Sequence, residues 1–213
     1  MKVNYYSISD SKLRLKGKGL SDADSDTLRA NEEIMKEFYS YTTLRPHTDG
    51  RLYIGTTHMK NRIVWLFDTR TKKFEDLGYD KKGDYYDIKI HRSLEYDPVK
   101  DVFYGISAGL HAENEYTKAP GSKVFSIDAK THELKFLGRP MEHEYTQTIT
   151  FDPKRRLLYG FTYHTFSFYV FDVDKCETIY STLLGSISHI SAIDDDGFFW
   201  GTWGRNQHWI FKY

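Results

Sequence analysis

Residues 157–172, with the sequence LLYGFTYHTFSFYVFD, decide the fold of this chain. A short apolar strand ends in glycine, a polar corner follows, and a second apolar strand ends in aspartate. Three other segments repeat the pair of large residues followed by glycine: Tyr53-Ile54-Gly55, Phe103-Tyr104-Gly105 and Phe199-Trp200-Gly201. The four glycines are separated by 50, 55 and 41 residues, near or above the ~40–50 residues of one propeller blade. The spacing therefore indicates an internal structural repeat.

Each repeat contains four short segments that suit β-strands. The segments alternate apolar and polar residues or run apolar for only four to six residues, whereas a helical solenoid would show an apolar period near 3.6 residues. Turns rich in Asp, Pro, Gly and Lys separate them. We therefore expect an all-β chain, a single β-propeller domain of about four four-stranded blades. The expected units are a partial blade at 1–20, a helical connection at 21–39, and blades at about 40–78, 88–138, 145–182 and 188–213.

The two ends of the chain do not complement each other in this scheme. Residues 6–10 match a third blade strand and residues 12–19 a fourth, while the sequence ends after a third strand. Joining the ends would supply the third strand twice. Because open sheet faces are an aggregation risk, we expect a larger ring that a second chain or a missing segment completes.

One segment, from about Thr27 to Phe38, has a helical pattern. Acidic residues alternate through Ser21–Asp26 just before it and would cap the helix and complement its dipole. The same run resembles a calcium loop, although Thr27 stands where such a loop requires glycine. Capping is the simpler interpretation, and calcium is the alternative.

The composition excludes several classes of protein. The 213 residues are 39% hydrophobic and 16% aromatic, with 30 Lys+Arg and 30 Asp+Glu, so no basic excess is present to hold nucleic acid. The sequence contains no run of about 18 apolar residues, so no membrane span is predicted. The first residues also lack the apolar core of a signal peptide. The single cysteine, Cys176, is expected to be a buried structural thiol.

Histidines collect on one predicted face of the propeller. Connections from the second to the third strand, and from the fourth strand to the next blade, share one face. Seven of the nine histidines fall there: His58, His111, His164 and His208 in the former, and His91, His143 and His189 in the latter. Only His47 and His132 fall on the other face. Converging histidines suit proton transfer or a bound divalent metal, although single loop histidines are often ordinary polar residues.

Aromatic and cationic residues on the same face predict a pocket for an anionic saccharide, because rings stack on sugars and arginine pairs with carboxylates. Several of these aromatic residues could instead pack between blades. The candidate ligand-binding residues are His58, Tyr86, Arg92, His143, Tyr145, His189, Trp203 and His208.

The third repeat, residues 158–164 with 168–172, resembles the blade motif of bacterial propeller proteins that include polysaccharide lyases of the ulvan-lyase kind. The resemblance is at the level of blades, over roughly residues 40–213. It implies β-elimination on a uronic-acid-containing polysaccharide by a secreted or periplasmic protein. That chemistry needs a cation at the sugar carboxylate, a base and an acid.

The implied catalytic residues are assigned by chemical type. Arg205 or Arg92 would bind the carboxylate, and His111 or His164 would be the base. Tyr163 would be the acid or would share the acid and base roles. Only Tyr163 and His164 lie in the motif that carries the resemblance, and a histidine-bound divalent metal could replace the arginine. The alternative is a non-catalytic propeller that binds a glycan or a protein.

Overall fold

The computed structural model describes residues 3–8, 29–109, 117–204 and 209–213. These residues form four antiparallel sheets, three with four strands and one with three. The first sheet contains β1 (Ser40–Pro46), β2 (Arg51–Thr57), β3 (Val64–Asp68) and β4 (Lys73–Asp76). The second contains β5 (Leu94–Asp97), β6 (Val102–Ile106), β7 (Val124–Asp128) and β8 (Leu134–Gly138). The third contains β9 (Thr146–Asp152), β10 (Leu157–Thr162), β11 (Ser167–Asp172) and β12 (Glu177–Leu183). The fourth contains β13 (Ser191–Ile193), β14 (Phe199–Trp203) and β15 (Trp209–Lys212).

The sheets are arranged as propeller blades. Their first strands lie side by side, β1 next to β5, β5 next to β9, and β9 next to β13. In each sheet the other strands follow in chain order, as in a blade that runs outward from a central channel. The predicted all-β repeat is therefore confirmed. Within the described residues the row of four sheets does not close into a ring.

Apolar side chains fill the spaces between neighbouring sheets. Because alternate residues of a strand point to opposite sides, each inner sheet contributes to two such layers. One aromatic pair marks each layer, with ring centroids 3.8, 5.0 and 4.8 Å apart: Tyr53 with Phe103, Tyr104 with Phe151, and Tyr159 with Phe199. The core is thus a series of layers between blades and not one central core.

In the first three sheets, the aspartate that ends the third strand shapes the turn that follows. Asp68 Oδ1 accepts hydrogen bonds from the backbone N–H groups of Arg70 and Thr71. Asp128 Oδ1 likewise accepts from the N–H groups of Lys130 and Thr131. These backbone bonds lower the pKa of both carboxyl groups. The fourth residue after each of these aspartates has a left-handed backbone, at Lys72, His132 and Cys176. The same holds four residues after the aspartates that end β5 and β9, at Asp101 and Arg156. The repeated aspartate is therefore a turn signal with a local cause.

Gly55 is not equivalent to the other repeat glycines, so the sequence alignment of the first blade is wrong by one residue. The aspartates that end the third strands pair with Arg51, Val102 and Leu157. From these partners, Gly105 and Gly160 lie three residues further along, and Gly55 lies four. A shift by one residue reverses the face to which a strand residue points. Ile54 therefore takes the position that glycine has in the other sheets.

The helical segment before the first sheet is interrupted at Asn31. The helix α1 spans Glu32–Glu37, and a single 3-10 turn at Tyr79–Lys81 follows β4. The Asn31 side chain accepts hydrogen bonds from the N–H groups of Glu33 and Ile34 at 3.0 and 3.1 Å. Arg29 is also helical, and the extended backbone of Asn31 separates it from α1. The predicted start at Thr27 lies outside the described residues. The acidic run at 21–26, and any calcium loop in it, lies outside the described residues.

Residues 3–8 lie against the face of the first sheet that points away from the second sheet. The Tyr6 ring is 5.2 Å from the Phe67 ring of β3. Ile8 packs against the buried cluster that Phe67 forms with Ile54 and Trp65. The Ile8 N–H donates to Tyr41 Oη at 2.9 Å. These six residues form no strand, and residues 9–20 of the predicted partial blade lie outside the described ranges.

Two further expectations concern single features. The expected burial of Cys176 is wrong, since this residue is exposed in the turn after β11. No helix in the described ranges is long and apolar enough to cross a membrane.

Candidate functional site: a cationic cluster on the upper face

The strand connections leave the sheets on two opposite faces. We call the face with the second-to-third and the blade-to-blade connections the upper face. It carries His58, His91, His143, His164 and His189. His47 and His132 lie in turns of the lower face, and His111 and His208 lie outside the described residues.

On the lower face, His47 joins two sheets and has no part in the candidate site. Its Nδ1 is 2.8 Å from Asp49 Oδ1, and its Nε2 is 2.8 Å from Asp101 Oδ1 in the turn before β6. Burial works against the imidazolium, but the two carboxylates outweigh it and raise the pKa of His47. This histidine therefore stabilises the contact between the first and second sheets when it is protonated.

Equivalent positions at the upper ends of three inner strands carry polar side chains. Leu94, Ile149 and Ser191 are the residues that pair with the repeat glycines of the second, third and fourth sheets. Two residues before each of them stand Arg92, Gln147 and His189. Arg92 and His189 are exposed, and Gln147 is half-buried. The blade repeat thus places three hydrogen-bonding groups around the inner side of the upper face.

Arg92 and His189 form one electrostatic group with Lys89 and His91, which we call the cationic cluster. The pKa of Lys89 is lowered by burial and by the charge of Arg92. Burial and Arg92 also lower the pKa of His189. Burial lowers the pKa of His91 to about 4, with further contributions from Lys89, Arg92 and His189. The charge of Arg92, from the connection before the second sheet, therefore still affects the ionisation of His189, from the connection before the fourth.

The hydrogen bond of His91 fixes its role in the cluster. Its Nδ1 donates to the Gln147 carbonyl oxygen at 2.8 Å, which leaves Nε2 as an acceptor in the neutral ring. With a pKa of about 4, His91 is neutral at neutral pH. Lys89 and Arg92 therefore carry the positive charge of the cluster under these conditions.

Within the described residues, the cluster has no carboxylate partner. Neither Lys89 nor Arg92 forms an ion pair there. Glu95, on β5, is paired with Arg45 at 2.7 Å, and Asp87 is paired with Lys123 at 2.7 Å. Like charges that lie close together without compensation favour a bound anion.

A second group of predicted residues lies at the corner between β10 and β11. The His164 ring lies 4.6 Å from the Tyr145 ring and 5.7 Å from the Tyr163 ring, and its Nδ1 donates to the His143 carbonyl oxygen at 3.2 Å. Burial lowers the pKa of His164, so the ring is neutral at neutral pH. Tyr145 is only 5% exposed, whereas Tyr163 is 45% exposed. Of these two phenols, Tyr163 is the one that a ligand could reach.

Other predicted ligand-binding residues have structural contacts. His58 is buried, stacks on Tyr39 at 4.3 Å, and has a pKa lowered by burial to about 4. Burial takes His58, like Tyr145, out of reach of a surface ligand. Trp203 Nε1 donates to the Leu184 carbonyl oxygen at 2.6 Å at the end of the fourth sheet. Two remaining candidates also have local partners: the Tyr86 ring lies 5.1 Å from Tyr85, and His143 Nδ1 donates to Ala119 O at 2.8 Å.

Three predicted site residues, His111, Arg205 and His208, lie outside the described residues. Their roles stay predictions. In the part of the chain that the structure does describe, no group of three or more His, Cys, Asp or Glu side chains is arranged to hold a metal ion.

Sequence reasoning missed Lys89 and Gln147. Gln147 could have been found by counting two residues back from the first-strand partner of the repeat glycine, which also gives Arg92 and His189. Lys89 has no such signal. It belongs to the site because residues 88–90 run between the first two sheets, bridged to Thr57 on one side and Ala108 on the other.

Comparisons with known proteins identify the fold. No protein family matches the chain, and no curated protein matches it. Among solved structures, the chain is similar to the β-propeller domain of Cps50 (Swd1) from Myceliophteria thermophila, with a TM-score of 0.53 and 11% identity over 82% of this chain and 54% of that chain. It is also similar to a complex of KlAtg21 with the coiled coil of AgAtg16, with a TM-score of 0.54 and 13% identity over 82% of this chain and 53% of that chain.

A nidogen/laminin complex gives a TM-score of 0.52 and 10% identity over 77% of this chain and 56% of the matched chain. These three structures include no polysaccharide lyase. Their identities to this chain, all between 10% and 13%, speak for the fold alone. The chain spans about half the length of each of these three matched chains. The described residues therefore form a β-propeller arrangement of four blades.

Proposed function

We propose that the upper face of this propeller is a binding site for an anionic ligand, held by the cationic cluster, and that the ligand is a carboxylate-bearing glycan. The proposal rests on Lys89 and Arg92, two neighbouring cations without a carboxylate partner in the described residues. A bound carboxylate would remove their mutual repulsion. Arginine can also bind a carboxylate through two parallel hydrogen bonds.

Neutral groups on the same face support a sugar as the carrier of the charge. The Gln147 amide stands at the position equivalent to Arg92 and can hydrogen bond to hydroxyl groups. Tyr163 is 45% exposed on this face and offers a ring for stacking on a sugar. The equal numbers of basic and acidic residues argue against nucleic acid as the ligand.

Titration with a uronate oligosaccharide, followed by calorimetry, tests the proposal. Arg92→Ala should weaken binding by about 10- to 100-fold, since a hydrogen bond to a charged group contributes about 1.5–3 kcal/mol. The control is Arg70→Ala, which removes a lower-face arginine with a 76% exposed side chain and should leave the affinity unchanged. A neutral oligosaccharide of the same length should not bind. Equal affinities of the two variants would refute the site.

Cleavage of the bound glycan by β-elimination is a second candidate function. It is favoured by the corner at Tyr163, where an exposed phenol lies beside a histidine that burial keeps neutral. A neutral imidazole and a phenol are the acid and base types that this reaction needs. The cationic cluster would then supply the charge that neutralises the uronate carboxylate.

The two candidates are separated by the ultraviolet absorbance of the unsaturated product during incubation with uronate polysaccharides. A lyase should produce the signal, and both Tyr163→Phe and His164→Ala should abolish it while the oligosaccharide still binds. Binding without the signal in the unmodified protein leaves the non-catalytic function.

A further inference from the structure

We propose that Lys89 is a nucleophilic amine that forms an imine with a small ligand in which a carbonyl group lies next to a carboxylate, as in an α-keto acid. The amine attacks the carbonyl carbon, and Arg92 of the cationic cluster holds the carboxylate. This chemistry is covalent and does not require a sugar. It shares only the cationic cluster with the proposed glycan site.

The backbone around Lys89 is held by both of the first two sheets. The Lys89 N–H donates to the Ala108 carbonyl oxygen at 3.0 Å, and the Ala108 N–H donates back to the Lys89 carbonyl oxygen at 2.7 Å. On the other side, the Ile90 N–H donates to the Thr56 carbonyl oxygen at 3.0 Å, and Lys89 bridges to Thr57. A backbone fixed from two sides gives the amine the rigid support that a reacting group needs.

Alternation along this bridging segment places Lys89 on the side opposite to the core. Ile88 and Ile90 are 1% and 0% exposed, and Ile90 belongs to the apolar cluster between the first two sheets. Because alternate residues of an extended chain point to opposite sides, Lys89 and His91 share the other side. His91 Nδ1 donates to the Gln147 carbonyl oxygen of β9, the first strand of the third sheet. Lys89 is only half-buried, so a small ligand on the inner side of the upper face can reach it.

The surroundings of Lys89 favour the free amine, which is the nucleophilic form of lysine. Burial and the charge of Arg92 both lower the pKa of Lys89. Among the described side chains, Lys89 has no carboxylate partner that would favour the ammonium form. Lys123, by contrast, is paired with Asp84 and Asp87 at 2.7 Å. At neutral pH, Lys89 therefore has a larger fraction of free amine than a lysine in water.

Arg92 has the exposure and the backbone of a ligand-binding residue. Its side chain is exposed, and its charge lowers the pKa values of Lys89, His91 and His189. Its φ of 36° lies in the left-handed region, which costs free energy in a residue other than glycine and is frequent at ligand sites. In an α-keto acid the carboxylate is one bond away from the carbonyl carbon. A carboxylate bound to Arg92 would therefore hold the carbonyl group beside the cluster that contains the amine.

The reaction needs only the amine and the carbonyl compound. The ammonium group of Lys89 first loses one proton to solvent, and the free amine attacks the carbonyl carbon. A carbon–nitrogen bond forms, and the carbonyl oxygen leaves as water together with the two remaining amine hydrogens, which gives the imine. His91 is neutral at neutral pH, since its pKa is about 4, so its ring adds no positive charge that would repel a protonated imine.

Trapping with glyoxylate and cyanoborohydride at neutral pH, followed by peptide mass spectrometry, tests the proposal. Reduction of the imine leaves a carboxymethyl group on the amine, and the same peptide map reports the labelling of Lys130, an exposed lysine in the turn between β7 and β8. Acetaldehyde, which has no carboxylate, is the matched probe. The ratio of Lys89 to Lys130 labelling should be about 10-fold or more higher with glyoxylate than with acetaldehyde, as expected for one hydrogen bond to a charged group.

Two variants identify the part that Arg92 takes. Arg92→Ala should remove the preference for glyoxylate, and comparing two probes on one variant cancels the change that it makes in the pKa of Lys89. The control is Arg70→Ala, on the lower face with a 76% exposed side chain, which should keep the preference; circular dichroism checks the fold of both. A Lys89 without the preference would overturn the proposal, as would a preference that survives Arg92→Ala. Uronate binding in calorimetry without trapping would overturn the imine and leave the glycan site intact, and trapping without uronate binding would do the reverse.

Discussion

Replacing Asp97 should destabilise the protein far more than replacing Asp174, although both carboxylates bind the same arginine. Asp97, the last residue of β5, is completely buried, and its Oδ2 accepts a hydrogen bond from Arg156 Nη1 of the third sheet. Its Oδ1 accepts from the N–H groups of Val99 and Lys100 at 2.9 and 3.3 Å. Asp174, with a side chain that is 47% exposed, accepts from Arg156 Nε at 2.6 Å. Arg156 therefore forms one buried and one exposed ion pair, whose contributions to stability can be compared in the same protein.

The expected magnitudes follow from burial. Removing one partner of a buried ion pair costs about 3–5 kcal/mol, whereas an exposed pair contributes about 0–1 kcal/mol. Because Arg156 keeps Asp174 in the Asp97→Ala variant, we expect a loss of about 2–4 kcal/mol for Asp97→Ala and less than about 1 kcal/mol for Asp174→Ala. Asp97→Asn should lie between them, since an amide oxygen can still accept from the turn.

The free energy of unfolding by urea, from linear extrapolation at neutral pH, measures both losses. The denaturant dependence should be the same for all variants, so that only the midpoint moves. For a chain of this size the loss at Asp97 corresponds to a fall of several degrees in melting temperature, at about 2–4 °C per kcal/mol. Equal losses for Asp97→Ala and Asp174→Ala would refute the reasoning that burial decides the value of the pair.

Three further outcomes are expected. The pKa of His47 is raised by its two aspartates. The contribution of His47 to the free energy of unfolding is therefore complete below the unfolded pKa of 6.5 and is lost as the pH rises through the higher folded value. His47→Gln should remove this part of the pH dependence in urea titrations. The pKa of His189 is lowered by burial and by a neighbouring arginine, so affinity for a uronate ligand should rise as the pH falls below about 6.5 and the ring becomes protonated, and His189→Gln should flatten that rise in calorimetry. Gly160→Ala would place a Cβ 2.1 Å from Cζ of the buried Tyr169 and should cost about 1–3 kcal/mol or more in thermal unfolding, whereas Gly185→Ala meets no atom within 4 Å and should cost only the ~1 kcal/mol of its left-handed backbone. A larger loss at Gly185 than at Gly160 would contradict this assignment.

Much of the fold could be predicted because its signals are local. The repeated glycines and aspartates mark strand ends and turns, and the turn at Asp68 forms from bonds to residues two and three places away. The first blade shows where such signals fail. Tyr53-Ile54-Gly55 has the same pattern as the other motifs, but pairing across the sheet places Gly55 one residue out of register. A one-residue shift is invisible in the chain and reverses the side chains in space.

The candidate site was predictable only in part. The order of the strands is enough to sort the histidines by face, and it identified Arg92 and His189. It could not separate the buried His58 from the exposed His189, because both lie in connections on the same face. Nor could it find Lys89, which joins the cluster through bridges to two neighbouring sheets.

The sequence by itself determined the strands, the turns and the face on which each connection lies, because these depend on residues within a few places of one another. Only the tertiary structure decided that the charge of Arg92 lowers the pKa of His189 across an intervening blade, and that the side chains of Leu44 and Ile210 are exposed. The physical reason is that both results depend on how successive sheets pack and rotate around the channel. That geometry is a sum over many side-chain contacts between blades, and no short stretch of the chain encodes it.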